Sequence, residues 1–335
     1  MSMISIGDLS QNLLLRNRAT ELKQTVATLT EELSSGRVSD PSQRLGGDYS
    51  HLIDIDRNLT RLAGYSIAAN EARLFAGATQ SGLERIQGIT GSLFSGILSA
   101  TSSNLAGAQD NFAQQAQSGL DDVISTLNGS VAGRSLFAGT ATDKPPLESS
   151  TMLLDELRSV LIGLDTAAEV TQAAEDWFAD PAGFRAVIYK GSADGLAPIQ
   201  VAAGQHVGLS LKADDPDFRD LLRIVAVASL ATDPTINLDA ENRAELLRSS
   251  GDQLLASEDR LTLLRGDLGY SESRIEEAAT RNESARTSFE YAKGALLAAD
   301  PFETATRLDD VQFQLEALYS VTVRTSRLSL LSFLK

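Results

Sequence analysis

Asp54 and Asp56, two residues apart and close to His51, are side chains that could hold a metal ion or share a proton. Either role needs them on one face. The neighbouring Leu52, Ile55 and Leu59 keep helical spacing, and residues two apart on a helix do not face each other. The pair therefore reads as the polar side of an apolar seam. His51 has no second histidine and no carboxylate–histidine pair at ligand spacing, and the other histidine, His206, sits in a strand-like stretch next to a turn. Asp214-Asp-Pro-Asp217 is acidic enough for a fragment of a calcium loop. It lacks the glycine and the distal bidentate Glu, and helix capping explains it better, with Asp215 as cap and Pro216 at the first helical position. There is no G-x-x-x-x-G-K followed by Ser or Thr and no G-x-G-x-x-G, so nothing supports phosphate cradling. Cysteine is absent, which removes thiolate and disulfide chemistry. The expectation is an enzyme-free chain with no catalytic residue, no metal site and no cofactor.

What remains is spacing of another kind. Leu15, Ala19, Leu22, Val26, Leu29 and Leu33 recur at alternating steps of four and three, and so do Leu308, Val311, Leu315 and Leu318. Such a/d spacing puts a narrow apolar seam on a helix, and the seam needs another helix to cover it. The last residues, Leu328-Ser-Leu-Leu331-Ser-Phe-Leu334-Lys, are apolar to the end. The expected assembly interface is therefore Leu15, Leu22, Val26, Leu29, Leu308, Leu315, Leu318, Leu328, Leu331 and Leu334.

These seams must be carried by long helices. One is expected from about Asp8, as cap, to Ser35, with Gly36 as its stop. A loop follows to Gly47, then a helix over 49–100 with Leu52, Ile55, Leu59 and Leu62 early in its seam and Leu83, Ile86, Thr90, Leu93 and Ile97 later. Gly77, Gly82, Gly88, Gly91 and Gly96 lower its propensity by about 1 kcal/mol each relative to Ala, which is credible where neighbours pack closely. A third helix is expected over 104–131. Then the pattern shortens: a strand at 135–138, helices at 151–163 and 166–179, strands at 184–189, 197–201 and 206–211, and a helix at 216–230. From 239 to 299 helical spacing returns, with Leu247, Leu254, Leu261 and Leu268 seven apart. Asp300-Pro-Phe-Glu303 caps and restarts a last helix.

The net charge is −16 on 335 residues, with no local basic patch, which argues against nucleic acid and anionic lipid as partners. No run of about 18 apolar residues is present, so no membrane insertion is expected. The N-terminus lacks the basic and apolar regions of a cleaved signal peptide.

Several segments resemble the bacterial flagellin superfamily. Leu29-Thr-Glu-Glu-Leu-Ser-Ser-Gly-Arg-Val-Ser-Asp40 is similar to the family's "L-S-S/T-G-x-R-I" segment between helix and loop. Gly133-Arg-Ser-Leu-Phe-Ala-Gly-Thr-Ala-Thr-Asp-Lys-Pro-Pro146 is similar to "G-x-Y-L-F-x-G-x-x-T-x-x-P-P-F" in the family's junction proteins, with Ser135 in place of the aromatic and Leu147 in place of the final Phe. Arg265-Gly-Asp-Leu-Gly269, Arg274-Ile-Glu276 and Asn282 resemble "R-A-x-L-G … R-L/I-E … N". Thr325-Ser-Arg-Leu-Ser-Leu-Leu-Ser-Phe-Leu334 resembles "S-x-L-S-L-L-x-x-L".

The resemblance implies a mainly α fold: a long helical bundle made by the N- and C-terminal segments, with a small mixed α/β insert domain. It implies terminal helices at 1–35 and 301–335 as inner-tube polymerisation segments, a bundle core at 36–150 and 233–300, and an outward-facing insert at 151–232. It further implies a secreted structural subunit, exported through the flagellar type III apparatus with an export chaperone. That subunit would sit at the hook–filament junction, self-associating in a ring between hook-associated protein 1 and flagellin. Filament flagellin is the first alternative, and an intracellular coiled-coil adaptor the second.

Overall fold

A computed structural model describes residues 6–102 and 107–333. Their element order is α1 (Ile6–Ser35), α2 (Pro41–Arg44), α3 (Ser50–Ser102), α4 (Ala108–Leu127), β1 (Ser130–Val131), β2 (Arg134–Ser135), α5 (Ser150–Leu161), α6 (Ala167–Ala179), α7 (Phe184–Val187), β3 (Ile199–Ala202), β4 (Gln205–Val207), α8 (Pro216–Ser229), α9 (Ala240–Leu296) and α10 (Pro301–Phe333). The chain is mainly α, with two small antiparallel hairpins, β1–β2 and β3–β4. It divides into two compact units, one of residues 1–61 and 284–335, the other of residues 62–283.

In the first unit α1 and α10 pack along each other. Gly36, in the left-handed region at φ +67, ends α1 with its amide bonded to the Glu32 carbonyl at 2.9 Å. The chain is pinned there, because Val38 N donates to Leu297 O and Ala299 N to Gly36 O, both at 3.0 Å. Asp300 caps α10 as its sequence demands, accepting from the amides of Phe302 and Glu303 at 2.9 and 3.1 Å. Asp8, expected as a cap, lies inside α1, because helix is already present at Ile6.

The second unit is built on a thick core. The apolar faces of α3 (Leu83, Ile86, Leu93, Ile97), α4 (Phe112, Ala116, Leu120, Val123, Leu127) and α9 (Leu247, Leu254, Leu261, Leu268) are buried as their spacing requires. α8 is buried at Phe218 and from Leu221 to Ala228, and the side chains of Arg219, Asp220 and Arg223 reach polar partners. Phe137 meets Phe218 edge-on at 5.6 Å between ring centroids, and Phe178 stacks on Phe184 at 5.0 Å. Thr166 caps α6, its hydroxyl accepting from the Glu169 amide at 3.3 Å.

Several expected elements come out differently here. Phe184 to Tyr189 is not a strand: Ile188 and Tyr189 both donate to the Phe184 carbonyl, and Phe184, Ile188 and Tyr189 are all buried. Arg185 and Ala186 are exposed, and a run this short fits one helical turn as well as a strand. The third helix stops at Leu127 because the Asn128 amide group exchanges two hydrogen bonds with the backbone of Leu147, at 2.9 and 3.0 Å. Ala132 and Gly133 then both take positive φ, and the chain turns as a tight hairpin in place of a strand at 135–138. The expected strand at 206–211 pairs only as far as Val207. Asp215 stands at the N-cap of α8 but makes no side-chain cap; its carboxylate accepts instead from the Lys212 amide at 2.8 Å.

Candidate assembly surface

The heptad residues fall where a two-helix contact would put them. Leu22 and Leu29 are buried, while Leu15, Val26, Leu308, Val311, Leu315 and Leu318 are half-buried. Lys23 lies over the Tyr319 ring at 5.7 Å. That contact, together with the pinning of Gly36 beside Ala299, sets α1 and α10 antiparallel. Leu33, the last of the N-terminal series, is exposed. Leu328 and Leu331 lie on α10, with side chains outside the described part, and Leu334 lies outside the described residues.

Two helices cannot cover each other on all sides. Leu13 and Leu14 on α1, Phe302, Phe313, Val321 and Val323 on α10, and Tyr291 at the end of α9 stay exposed, Phe302 at 83% and Phe313 at 73%. Each buried residue of this size is worth roughly 1.5–3 kcal/mol, so this unit leaves unused a large part of the apolar surface it carries. The heptad reading missed these residues because they lie off the seam. Their signal was the run Leu13-Leu14-Leu15, too dense for one stripe, and an aromatic two residues from a seam position at Phe313.

Charge on the unit is local. Asp56 pairs with Lys293 at 2.7 Å and Asp54 with Arg57 at 3.7 Å. The two acids thus serve different partners, as the helical spacing required. Asp40 holds its proton less tightly than an ordinary Asp because the Ser42 hydroxyl and amide donate to it, and Ser50 does the same for Asp48. An open groove of about 430 Å³ is lined by Ile53, Asp56, Arg57, Thr60 and Arg61.

The remaining candidates of the sequence are engaged structurally in the second unit. Asp214 is buried between Arg185 at 3.0 Å and Arg219 at 3.7 Å. His206 is exposed on β4, and its carbonyl accepts from Arg274 at 3.2 Å. Among the described residues no group of three or more metal-ligating side chains comes together. His51 is exposed on α3. No helix among the described residues is long and apolar enough to cross a membrane.

Residues 256–334, the second part of α9 and all of α10, match the bacterial flagellin C-terminal helical region. This part of the chain is therefore flagellin-like, and it is the part that supplies half of the α1–α10 pair. In fold the chain is similar to hook-associated protein 3: it aligns with FlgL from Bacillus cereus at a TM-score of 0.53 and 10% identity, over 72% of this chain and 100% of that one. A candidate flagellar hook-associated protein from Vibrio parahaemolyticus aligns at 0.50 and 13% identity, over 73% of this chain and 95% of that one. No curated protein sequence matches the chain.

Proposed function

We propose that this chain is a structural subunit of the bacterial flagellum that joins hook to filament, in the role of hook-associated protein 3. The observation that carries the reading is the first unit: two long helices, one of them inside the flagellin-like match, paired along a narrow seam with Phe302, Phe313, Leu13 and Leu14 left in solvent. Surface of this kind is covered by further helices of the same sort. Copies would meet in a ring through α1 and α10, using Leu15, Leu22, Val26, Leu29, Leu308, Leu315, Leu318, Leu328, Leu331 and Leu334. Hook-associated protein 1 would lie on one side and flagellin on the other. An export chaperone would cover the same helices before secretion.

In this reading 1–35 and 301–335 form the inner tube, 36–150 and 233–300 the bundle, and 151–232 the outer insert, and the chain carries out no reaction. Filament flagellin is the second reading, favoured by the name of the matched region itself. Immuno-electron microscopy of sheared flagella separates the two. Label at one point between hook and filament is the expected result. Label along the filament establishes flagellin, and its absence from the flagellum overturns both.

A further inference from the structure

Glycines on α3 and α9 in the second unit differ in what surrounds them. A Cβ at Gly91 would meet the Glu258 carboxylate at 2.9 Å, at Gly96 the Phe112 ring at 3.0 Å, and at Gly251 the Ile97 side chain at 3.0 Å. Those three let helices approach. At Gly77 and Gly88 on α3, and at Gly266 and Gly269 on α9, a Cβ would meet nothing within 4 Å, and the backbone is ordinary helix. No packing need explains glycine there; its physical effect is to loosen the helix.

Gly64 is open as well but lies nearer the start of α3; the other four fall within one stretch of about three helical turns. Arg73 pairs with Glu276 at 3.4 Å, and Gln87 donates to the Thr262 hydroxyl at 3.0 Å. α3 and α9 therefore run antiparallel and in step, which sets Gly266 and Gly269 beside the stretch between Gly77 and Gly88. Hydroxyls there turn back on the helix carbonyls: Ser81 on Gly77 at 3.0 Å, Ser92 on Gly88 at 2.9 Å, Thr262 on Glu258 at 2.9 Å and Ser271 on Asp267 at 3.2 Å. Such back-bonding weakens and bends helices. Beneath the same level the core has a void of about 10 Å³ against Phe75, Thr79, Leu136, Leu209, Leu211 and Leu268. The hydroxyl of Thr79 is committed to the Phe75 carbonyl at 2.9 Å, so the lining of this small void is apolar.

We propose that α3 and α9 share a flexure at the level of Gly77–Gly88 and Gly266–Gly269, a bending joint built into the second unit. Two helices loosened side by side bend together, where one loosened helix would be splinted by its neighbour. The joint is a property of the folded chain and holds whether or not the flagellar reading does.

The absence of cysteine makes the test direct. Asn70→Cys and Leu98→Cys, both at exposed positions of α3, carry spin labels on either side of the joint. The expected result is a broad distance distribution that narrows when Gly77, Gly88, Gly266 and Gly269 are all changed to Ala. Amide exchange around those positions is expected to slow by about fivefold for each substitution. Gly96→Ala, made separately, must speed exchange, because its methyl has no room. An equally narrow distribution in the parent chain, with exchange unchanged by the four alanines, overturns the joint.

Discussion

The two units of this chain handle apolar residues in opposite ways. In residues 62–283 a wide core is covered from within the chain: Phe137, Phe184 and Phe218 are wholly buried, as is most of α8, although Ile67, Leu263 and Tyr270 stay exposed on the outer faces of α3 and α9. In residues 1–61 and 284–335 the helices are longer than the core they share. Only Leu22 and Leu29 of the α1 seam are buried, and two phenylalanines of α10 stand in solvent. The composition of the helices does not make this difference; the number of neighbours does. A helix with several partners around it buries a wide face, whereas a helix with one partner buries a stripe. The same residue type is therefore a stability element in one unit and an association element in the other.

The largest expected effect lies on the association side. Leu22→Asp or Leu315→Asp puts a charge into the α1–α10 seam. Either variant should be absent from assembled flagella while its second unit keeps a normal near-ultraviolet circular dichroism spectrum. Normal incorporation of both would remove the α1–α10 pair from the assembly surface. Next comes a matched pair of phenylalanines. Phe218→Ala opens a hole in the core and should cost about 3–5 kcal/mol in the unfolding of the second unit. Phe313→Ala should change the stability of the isolated chain by no more than about 0.5 kcal/mol. Equal losses in the two variants would mean that the units do not differ in the way described.

A smaller effect is expected where the second unit holds its hairpin. Asn282, buried on α9, donates to the Val201 carbonyl at 2.8 Å, and Arg281 reaches the Gln205 side chain at 2.7 Å. Asn282→Ala leaves that carbonyl without this partner and should cost about 1–3 kcal/mol. Faster amide exchange confined to residues 199–207 would show it.

Most of this architecture was legible in the spacing of residues. Leu247, Leu254, Leu261 and Leu268 could be assigned to one buried face because a seven-residue step over a long window admits one reading. Asp300-Pro-Phe-Glu303, Thr166 and Gly36 were legible because caps act locally. The failures are where a distant residue decides. Nothing within a few residues of Asn128 says that its amide is taken by Leu147, so the end of α4 was placed too late. Asp215 looks like a cap until Lys212 claims its carboxylate. Phe184 to Tyr189 shows the limit of short windows, since a run of that length fits one helical turn as well as a strand. On the candidate surface, the seam positions were readable and Phe302 and Phe313 were not, because a sequence shows which residues share a stripe but not how many stripes find a partner.

The smallest effect is a change in pH dependence. Tyr189 is buried in the second unit and donates its hydroxyl proton to the Ser192 carbonyl at 2.8 Å. Burial first, and then the charges of Asp214 and Asp215, push its pKa up from 10.0 to about 12. The folded chain therefore keeps the phenol neutral over a range in which the unfolded chain has released the proton. The contribution of Tyr189 to stability is whole below pH 10 and is lost as the pH rises to about 12. Tyr189→Phe should cost about 0.5–1.5 kcal/mol at neutral pH through the missing hydrogen bond, and its stability should fall less steeply than the parent's over that alkaline range. Urea titrations of both chains at a series of pH values measure the slopes. Parallel curves would mean that the phenol ionises as readily in the fold as out of it, and that this corner of the core is wetter than the rest of the unit. Because the first unit buries none of the residues involved, its melting should show no difference between the two chains at any pH.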